Sequence, residues 1–245
     1  WPEPAKIVSE SQPGRSAEAT GGTAIRTLFD AARMNLDAHQ AREAVEKALR
    51  GRPGTAADAI SAAVTLVLAD CPAEAIQVLD GMSGRAVREV TPVWSVREWM
   101  VRSEACRCGG NLPTAYDWVR SAFDRVQQKR DEPDLPLCAA LLTGLLLARG
   151  ELDEAEALLR SCSSASASSR SGWGWAMMLA SWGGLWAARG QPRAALAAFL
   201  AAGDHAKQWP FTNPSMLPWR SAAALVHVEL GNLARGHGDV VAAQQ

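Results

Sequence analysis

Gly150-Glu151-Leu152-Asp153-Glu154-Ala155 decides the fold, because its parts recur at a fixed step of about forty residues. Stepping back from Ala155 gives Ala115 and then Ala75, and stepping forward gives Ala195. The residue ahead of each alanine run repeats with it: Asp70, Gly110, Gly150 and Gly190, then Gly231 one residue late. Small residues also recur before each turn, at Ala63, Ser103, Thr143, Gly183 and Ala224. Larger apolar residues recur after it, at Leu79, Val119, Leu159 and Phe199. Two antiparallel helices approach closely where their facing side chains are small. The pattern therefore predicts stacked helical hairpins, with the small series facing the alanines and the larger residues filling the gap to the next hairpin. Four residues before the turns stand Leu66, Cys106, Leu146 and Trp186, with His227 as the polar exception.

Working outward, the predicted hairpins pair Ala56–Ala69 with Ala73–Met82, Pro92–Cys108 with Pro113–Gln128, and Leu135–Arg149 with Asp153–Ser161. Gly174–Arg189 then pairs with Pro192–Lys207, and Trp219–Leu230 with Leu233–Ala243. Upstream, Ile25, Leu28, Phe29, Ala32 and Leu36 have helical spacing, which Ala41, Ala44, Val45 and Leu49 continue until Gly51, Pro53 and Gly54 stop it. No sustained two-residue alternation signals strands. Residues 1–22, with Pro2, Pro4, Pro13, Gly14, Gly21 and Gly22 among small polar residues, read as a flexible leader. Residues 23–245 form the repeat domain, and Ser163–Ser171 a mobile loop within it. The expected class is all-α, a superhelical solenoid of about five hairpins.

Composition restricts the function classes. The formal net charge is −1, too small for a field that draws nucleic acid or an anionic membrane. No apolar run approaches the roughly 20 residues of a membrane span, and the start lacks a secretory signal. The sequence opens on Trp1, as a segment of a longer chain would. Five cysteines, an odd number, give no disulfide framework, so a reducing cytoplasm is the expected location. Cys106-Arg107-Cys108 is too tightly spaced for a zinc knuckle, so no metal or other cofactor is expected. The histidines are scattered and no hydrolase or metalloprotease motif is present. Glu151, Asp153, Glu154 and Glu156 form a helix-start cluster suited to the helix dipole, not acid–base chemistry. No enzyme is expected.

The turn-and-alanine arrangement resembles tetratricopeptide repeats, spaced at about forty residues instead of about thirty-four. The likeness is best in the third and fourth repeats, and Gly236 and Gly238 weaken it in the fifth. A second resemblance lies in Asn213-Pro214-Ser215-Met216-Leu217-Pro218-Trp219-Arg220-Ser221-Ala222-Ala223-Ala224-Leu225, closing on Leu230-Gly231. It follows Leu185-Trp186-Ala187-Ala188-Arg189-Gly190 and Ala201-Ala202-Gly203-Asp204, and is similar to a signature of the large ATP-binding regulators of the LuxR family. That resemblance covers about residues 130–245. It implies the helical-repeat sensor region of such a regulator, which lies between a nucleotide-binding switch module and a C-terminal helix-turn-helix. This chain holds no GxxxxGK[ST] phosphate loop, so ATP and promoter binding would belong to other modules of the parent chain. The alternative is a free-standing repeat adaptor that docks peptides or proteins.

In such solenoids the first helices line the concave surface. The register places Arg97, Met100, Glu104 and Arg107 on one face of the second repeat. It places Leu137, Ala140, Gly144 and Leu147 in the third, and Met177, Ala180, Gly184 and Ala187 in the fourth. The expected site is a groove with a charged wall and an open apolar floor, taking a small-molecule effector or a protein or peptide partner. Gly144 and Gly184 either leave room for it or only admit tight helix contact. Among ten tryptophans, Trp99, Trp118, Trp182 and Trp186 are expected in the core. Trp94, Trp173, Trp175 and Trp209 either rim the groove or cap the stack, and Trp219 with Arg220 fixes a turn. Exposed end repeats leave room for a second copy or a neighbouring module to cover them.

Overall fold

The computed structural model describes residues 36–49, 55–83, 92–128, 133–163, 170, 172–209, 211 and 213–231. The expected leader, the helix over residues 25–35, most of the serine loop and the second helix of the fifth hairpin lie outside the described residues. The described residues are all-helical: α1 Ala38–Leu49, α2 Ala56–Leu68, α3 Pro72–Ser83, α4 Pro92–Cys108, α5 Leu112–Val126, α6 Leu135–Ala148, α7 Leu152–Cys162, α8 Trp173–Ala188, α9 Pro192–Ala206 and α10 Trp219–Glu229. The architecture is a solenoid of helical hairpins.

The periodic turn residues share one backbone conformation. Asp70, Gly110, Gly150, Gly190 and Gly231 all have positive φ, between 57° and 81°. This is the left-handed residue that ends a helix in a Schellman motif, where glycine avoids the Cβ penalty. The hydrogen bonds fit that motif. Glu151 N–H donates to Leu146 C=O at 2.9 Å and Gly150 N–H to Leu147 C=O at 3.0 Å. Cys71, Asn111 and Gln191 N–H make the same outer bond to Leu66, Cys106 and Trp186, each at 2.8 Å. At these four turns the residue four before the left-handed one, Leu66, Cys106, Leu146 or Trp186, is thus the carbonyl the motif returns to. The next helix starts at once: Ala75, Ala115, Ala155 and Ala195 N–H donate to the C=O of Cys71, Asn111, Glu151 and Gln191. A single turn residue therefore both ends one helix and aims the next.

Burial accounts for the rest of the recurrence. Ala75, Ala115, Ala155 and Ala195 are all 0% exposed, as are Leu79, Val119 and Leu159. Each large apolar member contributes about 1.5–3 kcal/mol by leaving water. In the second hairpin Ser103 Oγ donates to Ala115 C=O at 2.7 Å, joining the two small series directly. In the fourth, Gly183 makes room for a ring: a Cβ there would stand 2.6 Å from Phe199 Cε1. Trp173, expected at a groove rim or the stack end, is buried at 2% exposure. Trp99, Trp118, Trp182 and Trp186, expected in the core, are half-buried; Trp182 and Trp186 stack with centroids 5.1 Å apart.

The described residues fall into two compact units divided between Arg125 and Val126, with Phe211 and Asn213 belonging to the first. In the first unit α2 packs on α1, α3 and α4, and α3 on α4. Helix α2 opens with a capping box, Thr55 Oγ1 accepting from Asp58 N–H while Thr55 N–H donates to Asp58 Oδ2 at 2.9 Å. In the second unit α6 packs on α7 and α8, α8 on α7 and α9, and α9 on α10. No helix among the described residues is long and apolar enough to cross a membrane.

Candidate partner-binding face

In the first unit, the register residues of α4 divide. Arg97 and Met100 are each 4% exposed, so they lie within packing instead of lining an open wall. Glu104 and Arg107 remain towards solvent and hold each other: Arg107 Nη2 donates to Glu104 Oε1 at 2.6 Å and Nε to both carboxylate oxygens at 3.0 Å. The hydrogen bond from Arg107 to Glu104 holds the guanidinium further into its charged range. Arg102, outside the projected face, is the residue that ties elements together. It donates to Asp80 of α3 at 2.7 Å and to Glu98 at 2.9 Å, and lies 5.4 Å over the Trp118 ring of α5. Helical spacing puts residues on a common face; which neighbours then close that face depends on the stacking of other helices.

In the second unit, the register residues of α6 and α8 lie side by side. Leu137 and Ala140 are buried, while Gly144 is exposed and Leu147, Met177, Ala180, Gly184 and Ala187 are half-buried. A Cβ at Gly144 would meet nothing within 4 Å, whereas one at Gly184 would stand 3.2 Å from Leu147 Cδ1. Of the two uses foreseen for these glycines, open space fits Gly144 and tight contact fits Gly184. The seam between the helices is close. A Cβ at Gly174 would stand 2.8 Å from Leu137 N, and Ser181 Oγ lies 3.0 Å from Met177 C=O and 3.4 Å from Ala140 C=O. Trp175, at the start of α8, and Trp209, just beyond α9, are both half-buried.

Helices α6 and α8 contain no charged residue along their whole length. Charge gathers instead at the turns and on α7. Arg149 pairs with Glu151 at 2.7 Å, and Arg189 with Asp153 at 2.7 Å and Glu156 at 2.8 Å. The hydrogen bond from Arg160, then the charges of Arg189 and Arg160, hold the Glu156 carboxyl below its ordinary range.

The fifth repeat adds two residues that the sequence reading passed over. Leu225 and Val228 on α10 stand as far before Gly231 as Gly144 and Leu147 stand before Gly150. They are 73% and 52% exposed, the most exposed large hydrophobic side chains among the described residues. The opposite side of α10 is anchored: Ala223 and Val226 join Ala195 and Phe199 of α9 in a buried cluster flanked by Trp186, Ala187 and Leu230. Extending the register by one repeat would have found both residues. No group of three or more His, Cys, Asp or Glu is placed to hold a metal among the described residues. Burial raises the thiols of Cys71, Cys106 and Cys162.

No family model matches the chain, and no curated protein matches its sequence. Solved structures do match its fold. The Cut9–Hcn1 hetero-tetramer of the APC/C is similar over 98% of this chain, at a TM-score of 0.64 and 11% identity. The chain spans 41% of the length of that one. BtubC (BKLC) from P. vanneervenii is similar over 94% of this chain and 91% of its own, at a TM-score of 0.54 and 11% identity. At this identity the likeness concerns the fold alone, a tetratricopeptide-like helical solenoid.

Proposed function

We propose that this chain is the helical-repeat sensor segment of a LuxR-type ATP-binding transcriptional regulator, and that it holds an effector or protein partner on the first-helix face of its second unit. One observation carries the binding role. Two adjacent helices, α6 and α8, lack any charge and still present residues to solvent. Their register residues Gly144, Leu147, Met177, Ala180, Gly184 and Ala187 are exposed or half-buried, and an uncharged face left partly open is a candidate interaction site. The assignment to a regulator rests on the signature-like run from Asn213 to Leu225.

Binding is read out through the seam below the face. The Gly174–Leu137 approach and the Ser181 hydroxyl set the spacing of α6 and α8. A ligand touching both helices favours the seam spacing that it fits best, and shifts the population towards it by its difference in affinity. That shift is what a neighbouring switch module would sense.

Two measurements test this reading. A thermal-shift screen against metabolites, nucleotides and peptides should show stabilisation by a non-nucleotide ligand, about 2.7 kcal/mol at one hundred times its Kd. Stabilisation by ATP alone would contradict it. The coding frame on either side of this segment should encode a phosphate loop upstream and a helix-turn-helix downstream. Their absence would leave the free-standing adaptor.

A further inference from the structure

We infer that the outward face of α9 is a contact between two copies of this chain, which pair antiparallel through Arg193, Ala197, Leu200 and Asp204. The inference stands apart from the binding role proposed for α6 and α8 and does not depend on it.

The other second helices show what this face ordinarily carries. Ten residues after the turn residue stand Asp80, Arg120 and Arg160, and seven after it Gln77, Asp117 and Ala157. Asp80, Arg120 and Arg160 are each held in an ion pair. In α9 the same two positions are Leu200 and Ala197, and Ala201 stands where the others have Gly81, Ser121 and Ser161. Leu200 is 40% exposed, and both alanines are exposed. Ala197 and Leu200 share one side of the helix with Arg193 and Asp204, at i, i+4, i+7 and i+11.

Charge selects the occupant. Arg193 lies in the first turn of α9 and Asp204 in the last, so each has the wrong sign for the dipole of its own helix. At the position of Arg193, α7 carries Asp153. The Arg193 guanidinium is exposed and belongs to no ion pair among the described residues. Lys207 Nζ donates to Asp204 Oδ1 at 2.7 Å, which leaves Oδ2 for a second cation.

A contact between identical surfaces requires that residue i meet j while j meets i. A two-fold axis level with the Ala198–Phe199 peptide satisfies this for two antiparallel α9 helices. It sets Arg193 against Asp204 of the second copy and Ala197 against Leu200 of the second copy, and each contact forms twice. Leucine against alanine lets the helices approach closely. Parallel pairing would instead set arginine against arginine and aspartate against aspartate. A dissimilar partner would need no such palindrome of charge and size.

The test is sedimentation velocity on the chain from about 1 μM to 1 mM, the span in which so small an interface dissociates. The parent should pass from monomer to dimer across it. Leu200→Gln should weaken the dimer by about tenfold or more, while Leu225→Gln, on α10, should leave it unchanged. Arg193→Asp and Asp204→Arg should each weaken it by about tenfold alone, and recover it when the two variants are mixed or combined in one chain. All four side chains are exposed, and both charge reversals suit the helix dipole, so the variants should melt with the parent or above it, which is checked first. A parent that stays monomeric throughout, a dimer indifferent to Leu200→Gln, a dimer lost on Leu225→Gln, or charge reversals that mixing does not rescue would each overturn the inference.

Discussion

Gly144 and Gly183 are both interior helical glycines in first helices of adjacent hairpins, and replacing each with alanine should move stability in opposite directions. Glycine costs a helix about 1 kcal/mol relative to alanine. At Gly144 the new Cβ meets nothing within 4 Å, so Gly144→Ala should recover that amount nearly in full. At Gly183 the Cβ would stand 2.6, 2.7 and 2.9 Å from Cε1, Cδ1 and Cζ of Phe199. That ring is 6% exposed and packed with Ala195, Ala223 and Val226, so it cannot swing aside without disturbing α10. Overpacking of this kind costs about 1–3 kcal/mol. With three ring atoms too close, the upper part of that range applies, and the net loss after the helix gain is about 1–2 kcal/mol. The two variants should therefore differ by about 2–3 kcal/mol.

Gly184→Ala supplies the internal standard. Its Cβ would stand 3.2 Å from Leu147 Cδ1, the tip of a flexible side chain, so its effect should fall between the other two. The assay is urea unfolding followed by far-ultraviolet circular dichroism, comparing midpoints at constant slope. Each kcal/mol should also appear as a melting shift of about 2–4 °C for a chain of this size. Equal shifts for Gly144→Ala and Gly183→Ala would refute the distinction between an open face and a filled hairpin interior, and with it the placement of the binding face.

Asp70 alone among the repeated turn residues is not glycine, at φ 57°; Asp70→Gly should stabilise the first hairpin by about 0.5–1 kcal/mol, and destabilisation would mean that its side chain holds the turn. Thr143 Oγ1 is buried and makes no hydrogen bond, so Thr143→Val should be neutral or stabilise by up to about 1 kcal/mol, whereas Ser103→Ala, which removes the bond to Ala115 C=O, should cost about 1 kcal/mol in the same unfolding assay. Glu156 has its carboxyl pKa lowered from 4.5, first by the Arg160 hydrogen bond. Its folded value lies below its unfolded one, so its contribution is complete above about pH 5 and is lost as pH falls through the folded pKa. Arg160→Gln should raise the Glu156 carboxyl titration seen by NMR back towards 4.5, and an unchanged titration would mean that Arg160 does not hold it.

The fold was legible because its determinants are local and repeat. A Schellman turn needs one left-handed residue, and the same spacing that displayed Asp70, Gly110, Gly150, Gly190 and Gly231 in the sequence is the spacing of positive φ in the structure. The alanines were legible for the same reason, since each accepts the same close approach. The site was less so. Val64, Glu104, Gly144, Gly184 and Leu225 share one register position, yet Val64 is fully buried, Glu104 and Gly184 half-buried, Gly144 exposed and Leu225 73% exposed. Register is a property of one helix, while exposure is set by whatever packs on it. Arg97 shows the consequence: periodicity aligned it with Arg107, and packing closed over one and left the other open.

That difference also explains why the weight of the binding role falls on the second unit. A single exposed leucine is ordinary in a folded chain and means little. Leu225 and Val228 carry more than that, because they stand one turn apart at the register positions that α6 and α8 fill with Gly144, Leu147, Gly184 and Ala187. If these positions served stability alone, Glu or Lys would do as well for the helix at α10 and better for its hydration, and alanine would do better than glycine at residue 144. The chain instead keeps the floor small on α6 and α8 and the outer positions greasy on α10. Gly144, Leu225 and Val228 are unfavourable or neutral for the isolated fold, whereas Gly184 is kept small by Leu147, so the proposed binding role rests on the first three.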